Sequence, residues 1–395
     1  MRLMVYSHDT FGLGNIRRML AICEHLLKEI PELSILLLSG SPMLQGFRLP
    51  KGLDYIKLPC LNRGETGEVA VKYLGMNIED TIKLRSRIIL SAAMNYQPDL
   101  FLVDKKAYGI KNELIATVRY LHKYLAKTKL ILLFRDILDN PERTIYEWKK
   151  EGYYAAIEKY YESLLVVGTP DVLDFRQEYQ LPQKLIEKVK FCGYLRRPSG
   201  NKSKANVRQE LNLKYNEKLV LVTPGGGEDG YQLIDNYLKG LQILVNRANL
   251  KYPIKSLIIC GPEMPILQKQ AIHQVAKLNP QVKIREFTDD LMSYLEASDA
   301  VVSMAGYNTI CEILSAAKPA VIVPRVKPSQ EQLMRSQRMQ NKALFTTIHP
   351  ESMTPNKLIE KLLYVLENPY GNHSIDLDGL PRITYVHCCH KWLQL

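Results

Sequence analysis

The sequence predicts an α/β protein with two doubly wound domains, in which helices cover both faces of each parallel sheet. Short apolar runs alternate with amphipathic helical patterns along the chain, and this order is typical of parallel βαβ units. The chain has 395 residues, which is more than one hydrophobic core usually holds. A polar, loop-like stretch follows residue 197, so the first domain is expected to end there.

The first domain is expected to span residues 1–197. Its predicted strands are the apolar runs Leu3–Ser7, Ser34–Leu38, Leu100–Val103, Lys129–Phe134 and Leu164–Val167. Its predicted helices are the amphipathic segments Arg17–Ile30, Ile78–Asn95, Lys111–Ala126 and Thr144–Tyr161. Residues 64–75 form a long connection, which is typical of a binding loop or lid. Ligands of doubly wound sheets bind at the carboxyl ends of the strands, so the residues after each run are the candidate site residues.

The loop after the first predicted strand is the first candidate. It contains Gly12 and Gly14, whose backbone can turn tightly and approach a ligand. The spacing lacks the third glycine of the dinucleotide fingerprint, so NAD is not predicted. His8 has a side chain that titrates near neutral pH and could take a proton from a hydroxyl, while Asp9 could orient that ring or act as the base itself. A purely structural role, in which Asp9 caps a turn, stays open.

Two further carboxylates follow predicted strands. Asp104 comes directly after the run that ends at Val103, and Asp136 comes shortly after the run that ends at Phe134. Either could bind the hydroxyls of a ligand, and Asp136, with Arg135 beside it, is the better candidate. Acidic residues also cap strands and helices for structural reasons, and that alternative is equally open.

The second domain is expected to span residues 198–350. It begins with the predicted strand Lys218–Val222, and Gly225, Gly226 and Gly227 follow directly. Three adjacent glycines between a strand and a helix suit the close approach of phosphate or sugar oxygens, although a flexible loop is the alternative. Residues 351–395 are expected to form a helix and a tail that pack back on the first domain. Further predicted elements are the strands Ser256–Cys260, Lys283–Arg285, Ala300–Met304 and Ala320–Pro324 and the helix Thr354–Glu367.

The segment Asp299–Gln332 is the most informative part of the chain and reads DAVVSMAGYNTICEILSAAKPAVIVPRVKPSQEQ. It predicts a buried strand, a turn at Gly306, the helix Asn308–Ala317 and a second buried strand. The unpaired N–H groups and the dipole of that helix favour an anion at its N-terminus. Asn308 and Glu312 share one helix face, and a carboxylate one turn into the helix suits the two hydroxyls of a ribose. An ordinary βαβ crossover with a packing glycine is the alternative.

Six residues of this segment carry a family resemblance. Their spacing resembles the donor-binding signature of the family 28 glycosyltransferase C-terminal domain; they are Gly306, Thr309, Glu312, Pro319, Pro324 and Gln332. The resemblance implies the GT-B fold, in which two Rossmann-like domains face a cleft and the second domain binds a nucleotide-sugar donor. It covers the second domain well and the first domain only in outline.

The resemblance also implies roles for individual residues. The implied donor-binding residues are Gly225, Gly226, Gly227, Phe287, Ser303, Gly306, Asn308, Thr309, Glu312 and Gln332. The resemblance implies an acceptor-binding role for the loop with Gly12, Gly14 and Asn15. From their positions after predicted strands, Asp104 is a further acceptor-binding candidate and His8, Asp9 and Asp136 are the catalytic candidates. In the family, the first loop usually carries a Gly-His pair, and Asn15 stands where that histidine would fall. An asparagine cannot act as a general base, so His8 or Asp9 is expected to take the proton.

The predicted function is a metal-independent, inverting transfer of a hexose or N-acetylhexosamine from a UDP-sugar to a hydroxyl acceptor, with no cofactor besides that co-substrate. The acceptor could be lipid-linked, a polysaccharide or a small molecule. Two alternatives stay open, namely a non-hydrolysing UDP-sugar 2-epimerase and a non-catalytic protein that binds nucleotide sugars. The letters of Asp376-Leu377-Asp378 match a metal-binding DxD, but they fall in a loop-like tail. The run 387–390 contains adjacent cysteines, which do not readily take the spaced geometry of zinc ligands.

The net charge indicates which kinds of partner to expect, and the cysteines indicate the cellular compartment. The formal net charge is +12, yet the basic residues are spread along the chain and no nucleic-acid-binding motif is present. Nucleic acid is therefore not an expected partner, while an anionic membrane surface stays a candidate. The seven cysteines show no disulfide pattern, and the sequence shows no signal peptide or membrane span. A cytoplasmic protein is expected, with a peripheral position at the inner face of the membrane as an option.

Overall fold

The computed structural model describes residues 1–9, 14–64, 68–245, 251–368 and 375–392. The chain divides into two compact units. The first unit contains Met1–Leu195 and Asp378–Leu395, and the second contains Arg196–Leu377. Each unit is built on its own parallel sheet, so the predicted class of an α/β protein with two Rossmann-like domains is confirmed.

The first unit has a seven-stranded parallel sheet and a separate antiparallel hairpin. Its strands are β1 (Arg2–Tyr6), β2 (Ser34–Ser39), β3 (Leu53–Lys57), β4 (Leu61–Arg63), β5 (Val69–Val71), β6 (Leu100–Asp104), β7 (Lys129–Arg135), β8 (Ser163–Val167) and β9 (Val189–Phe191). Its first helices are α1 (Gly14–Glu29), α2 (Ile78–Tyr96), α3 (Ile115–Tyr124), α4 (Pro141–Lys150), α5 (Tyr153–Tyr160), α6 (Phe175–Glu178) and α7 (Gln183–Ile186). The sheet order is β3-β2-β1-β6-β7-β8-β9, and β4 pairs with β5. The order reverses between β1 and β6, which is where ligands of such sheets bind.

Two predicted helices of the first unit are shorter than their apolar periodicity indicates. The segment Thr144–Tyr161 is split into α4 and α5 because Gly152 adopts a left-handed φ of 67°. The segment Lys111–Ala126 loses its start because Lys111 and Asn112 have φ values of 48° and 63°, so α3 begins only at residue 115. Left-handed residues end an α-helix even where the hydrophobic pattern continues.

The second unit has a six-stranded parallel sheet. Its strands are β10 (Lys218–Thr223), β11 (Ile254–Ile259), β12 (Val282–Arg285), β13 (Ala300–Ser303), β14 (Ala320–Ile322) and β15 (Thr346–Thr347). Its helices are α8 (Lys204–Glu210), α9 (Tyr231–Val245), α10 (Ile266–Ala276), α11 (Leu291–Ala297), α12 (Tyr307–Ser315), α13 (Glu331–Asn341) and α14 (Pro355–Glu367). The sheet order is β12-β11-β10-β13-β14-β15, so the order reverses between β10 and β13. That reversal places the loops after these two strands at the ligand-binding edge.

The structure divides residues 351–395 differently from the sequence expectation. Helix α14 belongs to the second unit, where Leu358 and Leu362 lie in the hydrophobic core formed with α9. A Cβ atom on Gly240 would lie 2.5 Å from Ile359 Cγ1, so the two helices pack without room for a side chain between them. Of residues 351–395, only those from Asp378 onward belong to the first unit. There, α15 (Gly379–Trp392) packs against α1.

Candidate active site

In the second unit, the loops after β10 and β13 lie side by side at the switch point of the sheet. Thr223 and Ser303 are partners in the register of these strands, and Ser303 Oγ donates a hydrogen bond to the Thr223 carbonyl oxygen at 2.6 Å. Ser303 is fully buried, so its hydroxyl holds the two strand ends together. The predicted donor-binding residues on both loops are thereby brought to one edge of the sheet.

The glycine loop after β10 needs glycine for reasons of backbone geometry. Gly225 and Gly227 adopt φ values of 85° and 97°, which L side chains rarely take. A Cβ atom on Gly227 would lie 2.3 Å from the Cys260 carbonyl oxygen, and one on Gly225 would lie 3.1 Å from Thr309 Oγ1. The Gly226 carbonyl oxygen accepts a hydrogen bond from the backbone N–H of residue 263 at 2.9 Å. The loop is therefore packed directly against the loop after β11 and the first turn of α12.

The N-terminus of α12 differs from the glycine loop, because nothing in the fold requires a glycine there. Gly306 is the N-cap residue and has the ordinary dihedral angles φ −61° and ψ 139°. A Cβ atom on Gly306 would lie 4.0 Å from Thr309 Oγ1, the nearest atom outside its chain neighbours in the described part of the chain. Gly306 has no side chain that could cap the helix, and a helix N-terminus favours an anion. Open space beside an uncapped helix N-terminus is what a bound phosphate group requires.

The predicted donor-binding side chains of α12 are buried at this terminus. Asn308, Thr309 and Glu312 are 7%, 5% and 2% exposed. Arg197 was not predicted, yet its Nη2 donates to Asn308 Oδ1 at 2.7 Å and its backbone N–H donates to Ser315 Oγ at 2.9 Å. These contacts place a guanidinium beside the first turn of α12. The sequence signal that could have indicated this residue is the basic pair Arg196-Arg197 at the predicted domain boundary.

Arg335 stabilises the turn that precedes α12 through a hydrogen bond to its backbone. Its guanidinium is fully buried, and it donates from Nη1 to the Ala305 carbonyl oxygen at 2.8 Å and from Nη2 to Glu331 Oε2 at 3.1 Å. Gln332 Oε1 accepts a hydrogen bond from the backbone N–H of Arg325 at 3.1 Å and so fixes the loop after β14. The predicted residue Gln332 is thus part of the structure around the turn and is 7% exposed.

Phe287 lies in the loop between β12 and α11, at the same carboxyl edge of the sheet. The ring is 55% exposed, which is unusual for a phenylalanine. Phenylalanine is more often buried in a hydrophobic core, but the ring of Phe287 is not. An exposed aromatic ring at this edge is available to stack on a planar ligand.

In the first unit, Asp9 lies just beyond the carboxyl end of β1 and is 4% exposed. Its Oδ2 accepts a hydrogen bond from Ser39 Oγ at 2.6 Å, and the hydroxyl of Ser7 also interacts with this carboxylate. Burial raises the pKa of Asp9 to about 6, although the bond from Ser39 opposes the rise. A carboxylate that titrates near neutral pH is suited to accept a proton from a hydroxyl.

His8 is the weaker of the two base candidates. Its ring is 4% exposed, and Nδ1 has no hydrogen-bond partner among the described residues. Burial, and then the positive charges of Lys105 and Lys106, lower the pKa of His8 well below its usual value. The imidazole is therefore neutral at pH 7 and holds a proton poorly, so we prefer Asp9 as the base.

Asp136 follows β7, and protein groups use both of its carboxylate oxygens. Oδ2 accepts from the Tyr194 hydroxyl at 2.9 Å, and Oδ1 accepts from the backbone N–H of Ile137 at 2.8 Å. A Cβ atom on Gly168 would lie 2.6 Å from Asp136 Cβ, so the end of β8 packs closely against it. These contacts give Asp136 a structural role, and its predicted catalytic role receives no support from them.

The acceptor-side residues Asp104, Gly14 and Asn15 lie near the reversal between β1 and β6. Asp104 Oδ1 accepts from Arg18 Nη2 at 2.6 Å, and both side chains are buried. Asn15 lies in the first turn of α1 and Gly14 is the first residue of that helix. Gly12 lies outside the described residues.

The described part of the chain contains no group of three or more His, Cys, Asp or Glu side chains that could hold a metal ion. Asp378 of the DxD letters forms an isolated antiparallel bridge with Leu195. The side chains of the run 387–390 lie outside the described residues. Among the helices that the structure describes, none is both long and apolar enough to cross a membrane.

Residues 219–374 match the model of the glycosyltransferase family 28 C-terminal domain. The match covers most of the second unit. The matched residues include the glycine loop, Phe287 and the segment from β13 to Gln332, so the resemblance found in the sequence is confirmed for this unit.

Two relatives in sequence carry transferase names. The chain is 24% identical to an uncharacterized glycosyltransferase of Methanopyrus kandleri over 207 residues, which are 52% of this chain and 54% of the relative. It is 24% identical to the UDP-N-acetylglucosamine–N-acetylmuramyl-(pentapeptide) pyrophosphoryl-undecaprenol N-acetylglucosamine transferase of Clostridium tetani over 193 residues, which are 44% of this chain and 49% of the relative. The chain thus spans about half the length of each of these relatives.

Solved structures resemble both units of the chain. MurG of Acinetobacter baumannii has a TM-score of 0.62 at 12% identity and covers 98% of this chain and 98% of its own. A proposed UDP-N-acetylglucosamine 2-epimerase of Listeria monocytogenes has a TM-score of 0.64 at 12% identity and covers 99% of this chain and 96% of its own. At such identities the likeness shows the fold alone, which is the GT-B type with two Rossmann-like domains.

Proposed function

We propose that the protein transfers a hexose or N-acetylhexosamine from a UDP-sugar to a hydroxyl acceptor. The observation that carries this proposal is the uncapped N-terminus of α12, where Gly306 leaves open space beside the glycine loop at the switch point of a unit that largely matches the family 28 domain. An anion site at this place in a doubly wound sheet suits the diphosphate of a nucleotide sugar.

The second unit is proposed to bind the donor. The diphosphate would contact the first N–H groups of α12 and the backbone of Gly225–Gly227, with Arg197 adding a positive charge beside Asn308. The carboxylate of Glu312, one turn further along the helix, would accept hydrogen bonds from the two ribose hydroxyls. The exposed ring of Phe287 would pack against the uracil.

The first unit is proposed to bind the acceptor and to supply the base. The acceptor oxygen attacks C1 of the sugar, its proton passes to Asp9, and the bond between C1 and the diphosphate oxygen breaks. One displacement of this kind inverts the configuration at C1. The helix N-terminus and Arg197 stabilise the negative charge that develops on the departing UDP, which is a task that a metal ion performs in other transferases. The proposal therefore includes no metal and no cofactor besides the donor.

Calorimetric titration with UDP, UDP-glucose, UDP-N-acetylglucosamine, GDP and dTDP tests the donor site. We expect selective binding of the uridine nucleotides. Glu312→Gln should weaken that binding roughly 10- to 100-fold, because a hydrogen bond to a charged group contributes about 1.5–3 kcal/mol. Glu217→Gln is the matched control, since Glu217 is a buried glutamate of the same unit that precedes the amino end of β10.

Two outcomes would contradict this assignment. If the folded protein bound none of the nucleotides, both a transferase and an epimerase would be ruled out. If Glu217→Gln weakened binding as much as Glu312→Gln, the effect would be a general loss of stability in the second unit. Incubation with UDP-N-acetylglucosamine alone then separates the two enzymes, because an epimerase converts the sugar without an acceptor.

We further propose that the protein works at the surface of an anionic membrane, on its cytoplasmic side, with a lipid-linked acceptor. The stretch from the end of β5 to the second turn of α2 exposes large apolar side chains next to basic ones. Its exposed apolar residues are Tyr73, Leu74, Met76 and Leu84, and its exposed basic residues are Lys72, Lys83 and Arg87. It also exposes Glu79 and Asp80, and Asp80 pairs with Lys83 at 3.3 Å. Aromatic and aliphatic side chains flanked by lysine and arginine are typical of peripheral membrane contacts.

Sedimentation with phosphatidylcholine vesicles, with and without phosphatidylglycerol, tests this contact. We expect binding only to the anionic vesicles and its loss at high salt. The double variant Tyr73→Ser with Leu74→Ser should lower the partition coefficient about tenfold or more, since burying each such side chain contributes about 1.5–3 kcal/mol at most. Tyr215→Ser removes a fully exposed tyrosine of the second unit and should change nothing. Equal binding by all variants would contradict the proposal.

A further inference from the structure

Asn15 stands where family 28 transferases usually carry a histidine, and the structure shows what its side chain does. Asn15 Nδ2 donates a short hydrogen bond to the His8 carbonyl oxygen. Asn15 Oδ1 accepts from Arg18 Nη2 at 3.3 Å. The amide side chain therefore joins the start of α1 to the backbone at the end of β1.

Arg18 and Asp104 complete this connection. Arg18 Nη2 donates to Asp104 Oδ1 at 2.6 Å, and the two side chains are 1% and 0% exposed. Asp104 Oδ2 accepts from the backbone N–H of His8 at 3.3 Å. The chain of contacts thus runs from the His8 N–H through Asp104, Arg18 and Asn15 back to the His8 carbonyl. We call these three side chains the His8 clamp.

The His8 clamp holds the residue directly before Asp9. The backbone of Asp9 is also constrained, because its N–H donates to the Ser7 carbonyl at 2.9 Å and its own carbonyl oxygen lies 3.3 Å from where a Cβ on Gly40 would be. With these contacts in place, the Asp9 carboxylate lies against Ser39 Oγ at 2.6 Å. A rotation at His8 would move that carboxylate away from Ser39 and toward solvent.

We propose that Asn15, Arg18 and Asp104 are positioning residues that fix the His8–Asp9 backbone so that the Asp9 carboxylate stays buried as the general base. In this chain, the position of the family histidine then serves the proton transfer through Asp9 instead of taking the proton itself. The inference rests on the proposed function only in naming Asp9 as the base. The clamp itself is defined by contacts that do not depend on any substrate.

Stability alone does not account for such an arrangement. A buried ion pair loses much of its Coulombic attraction to the desolvation of both charges, so it is weak evidence of net stabilisation. The pair does fix geometry, because one carboxylate oxygen of Asp104 accepts from Arg18 and the other accepts from the backbone N–H of His8. The charged groups that act on Asp9 are Asp104 and Arg85, and those that act on His8 are Lys105, Lys106, Arg85 and Arg135.

The test measures the titration of Asp9 in the folded full-length chain without any substrate. Urea unfolding is followed by tryptophan fluorescence from about pH 4 to about pH 8, which reports the first unit because Trp148 and Trp392 both belong to it. The difference in stability between a protein and its Asp9→Asn counterpart, plotted against pH, gives the pKa of Asp9 in that background. We expect about 6 for the native chain and a value closer to 3.8 for Asn15→Ala, because a loosened backbone hydrates the carboxylate.

Three further variants make the result specific. Asn15→Leu keeps a similar side-chain volume and adds no charge, but it cannot donate to the His8 carbonyl, so it should lower the pKa of Asp9 as Asn15→Ala does. Arg18→Lys tests the clamp from its other side if Asn15→Ala does not fold. Thr128→Val removes the hydrogen bond from Thr128 Oγ1 to the Pro98 carbonyl at the other edge of the sheet, and it should lower stability equally at every pH.

An unchanged titration of Asp9 in Asn15→Ala and Arg18→Lys would overturn the proposal and leave the clamp as ordinary scaffold. A lowered pKa of Asp9 in these variants, with the native value in Thr128→Val, would support it. Because no sugar or nucleotide enters the measurement, a failure of the proposed transferase activity is seen separately, in the calorimetric titration. The two conclusions can therefore fail independently.

Discussion

Replacing Asp9 by asparagine should lower the rate of sugar transfer about 10²- to 10⁴-fold, the usual contribution of a general base. The affinity for UDP should stay the same, because the proposed donor site belongs to the second unit. Transfer is followed as UDP release from the donor that calorimetry selects. Asp99→Asn is the control, since Asp99 is a carboxylate at the amino edge of the same sheet and accepts from the backbone N–H of Arg2 at 2.7 Å.

The pH dependence of this rate has a definite sign. A base must be deprotonated to act, so the rate should rise with pH and level off above the pKa of Asp9 at about 6. A rate that fell with pH through this range would point to an essential acid instead. Unchanged activity in Asp9→Asn would leave His8 as the remaining candidate on this loop.

The same residue predicts a pH-dependent change in stability. Burial raises the pKa of Asp9 from 3.8 to about 6, so the folded chain binds this proton more tightly than the unfolded chain. The stability that this group contributes is therefore present below about pH 4 and is lost as the pH rises through about 6. Relative to the native protein, Asp9→Asn should gain about 3 kcal/mol between pH 4 and pH 8, since one pKa unit corresponds to about 1.4 kcal/mol. If the difference in unfolding free energy between the native protein and Asp9→Asn stayed constant with pH, Asp9 would not be a buried carboxylate that titrates in this range.

The fold could be predicted from the sequence because its main signals are local. A parallel strand such as Leu100–Asp104 is buried along its whole length, and its apolar run shows this directly. The misjudged elements depend on single backbone angles. Gly152 divides a continuous amphipathic pattern into two helices, and Lys111 takes a left-handed conformation that its residue type does not signal.

The sequence predicts where the candidate site lies in the fold, but it does not predict the contacts of the side chains there. The sequence correctly indicates that Gly225, Gly306 and Asp9 follow strands, and the topology of parallel sheets then brings them to a carboxyl edge. It does not indicate which side chains pair across the fold. Arg18 meets a carboxylate 86 residues away, and Tyr194 meets one 58 residues away. Such pairings decide which carboxylates are free for chemistry, and they emerge only from the folded structure.

Breaking a further long-range pair, Arg85 with Glu113, should strongly destabilise the first unit. Arg85 donates from Nε to Glu113 Oε2 at 2.6 Å and from Nη2 to Oε1 at 2.7 Å, and both side chains are 0% exposed. The Tyr6 hydroxyl donates to the same Oε1 at 2.6 Å, and Arg85 Nη1 donates to the Pro59 carbonyl oxygen at 2.6 Å. The pair thereby joins α2 to the turn before α3 and to the loop after β3.

Glu113→Gln should therefore destabilise the first unit by about 3–5 kcal/mol, because it leaves the Arg85 guanidinium buried without a compensating charge, and arginine does not lose its proton. Urea unfolding followed by tryptophan fluorescence measures the loss. The double variant Arg85→Met with Glu113→Leu should recover most of it, since it removes both charges and keeps an apolar volume. Tyr6→Phe removes one hydrogen bond and should cost only about 1–3 kcal/mol. A loss below about 1 kcal/mol in Glu113→Gln would show that water reaches Arg85, and the loops that this pair connects would then be more open than their contacts indicate.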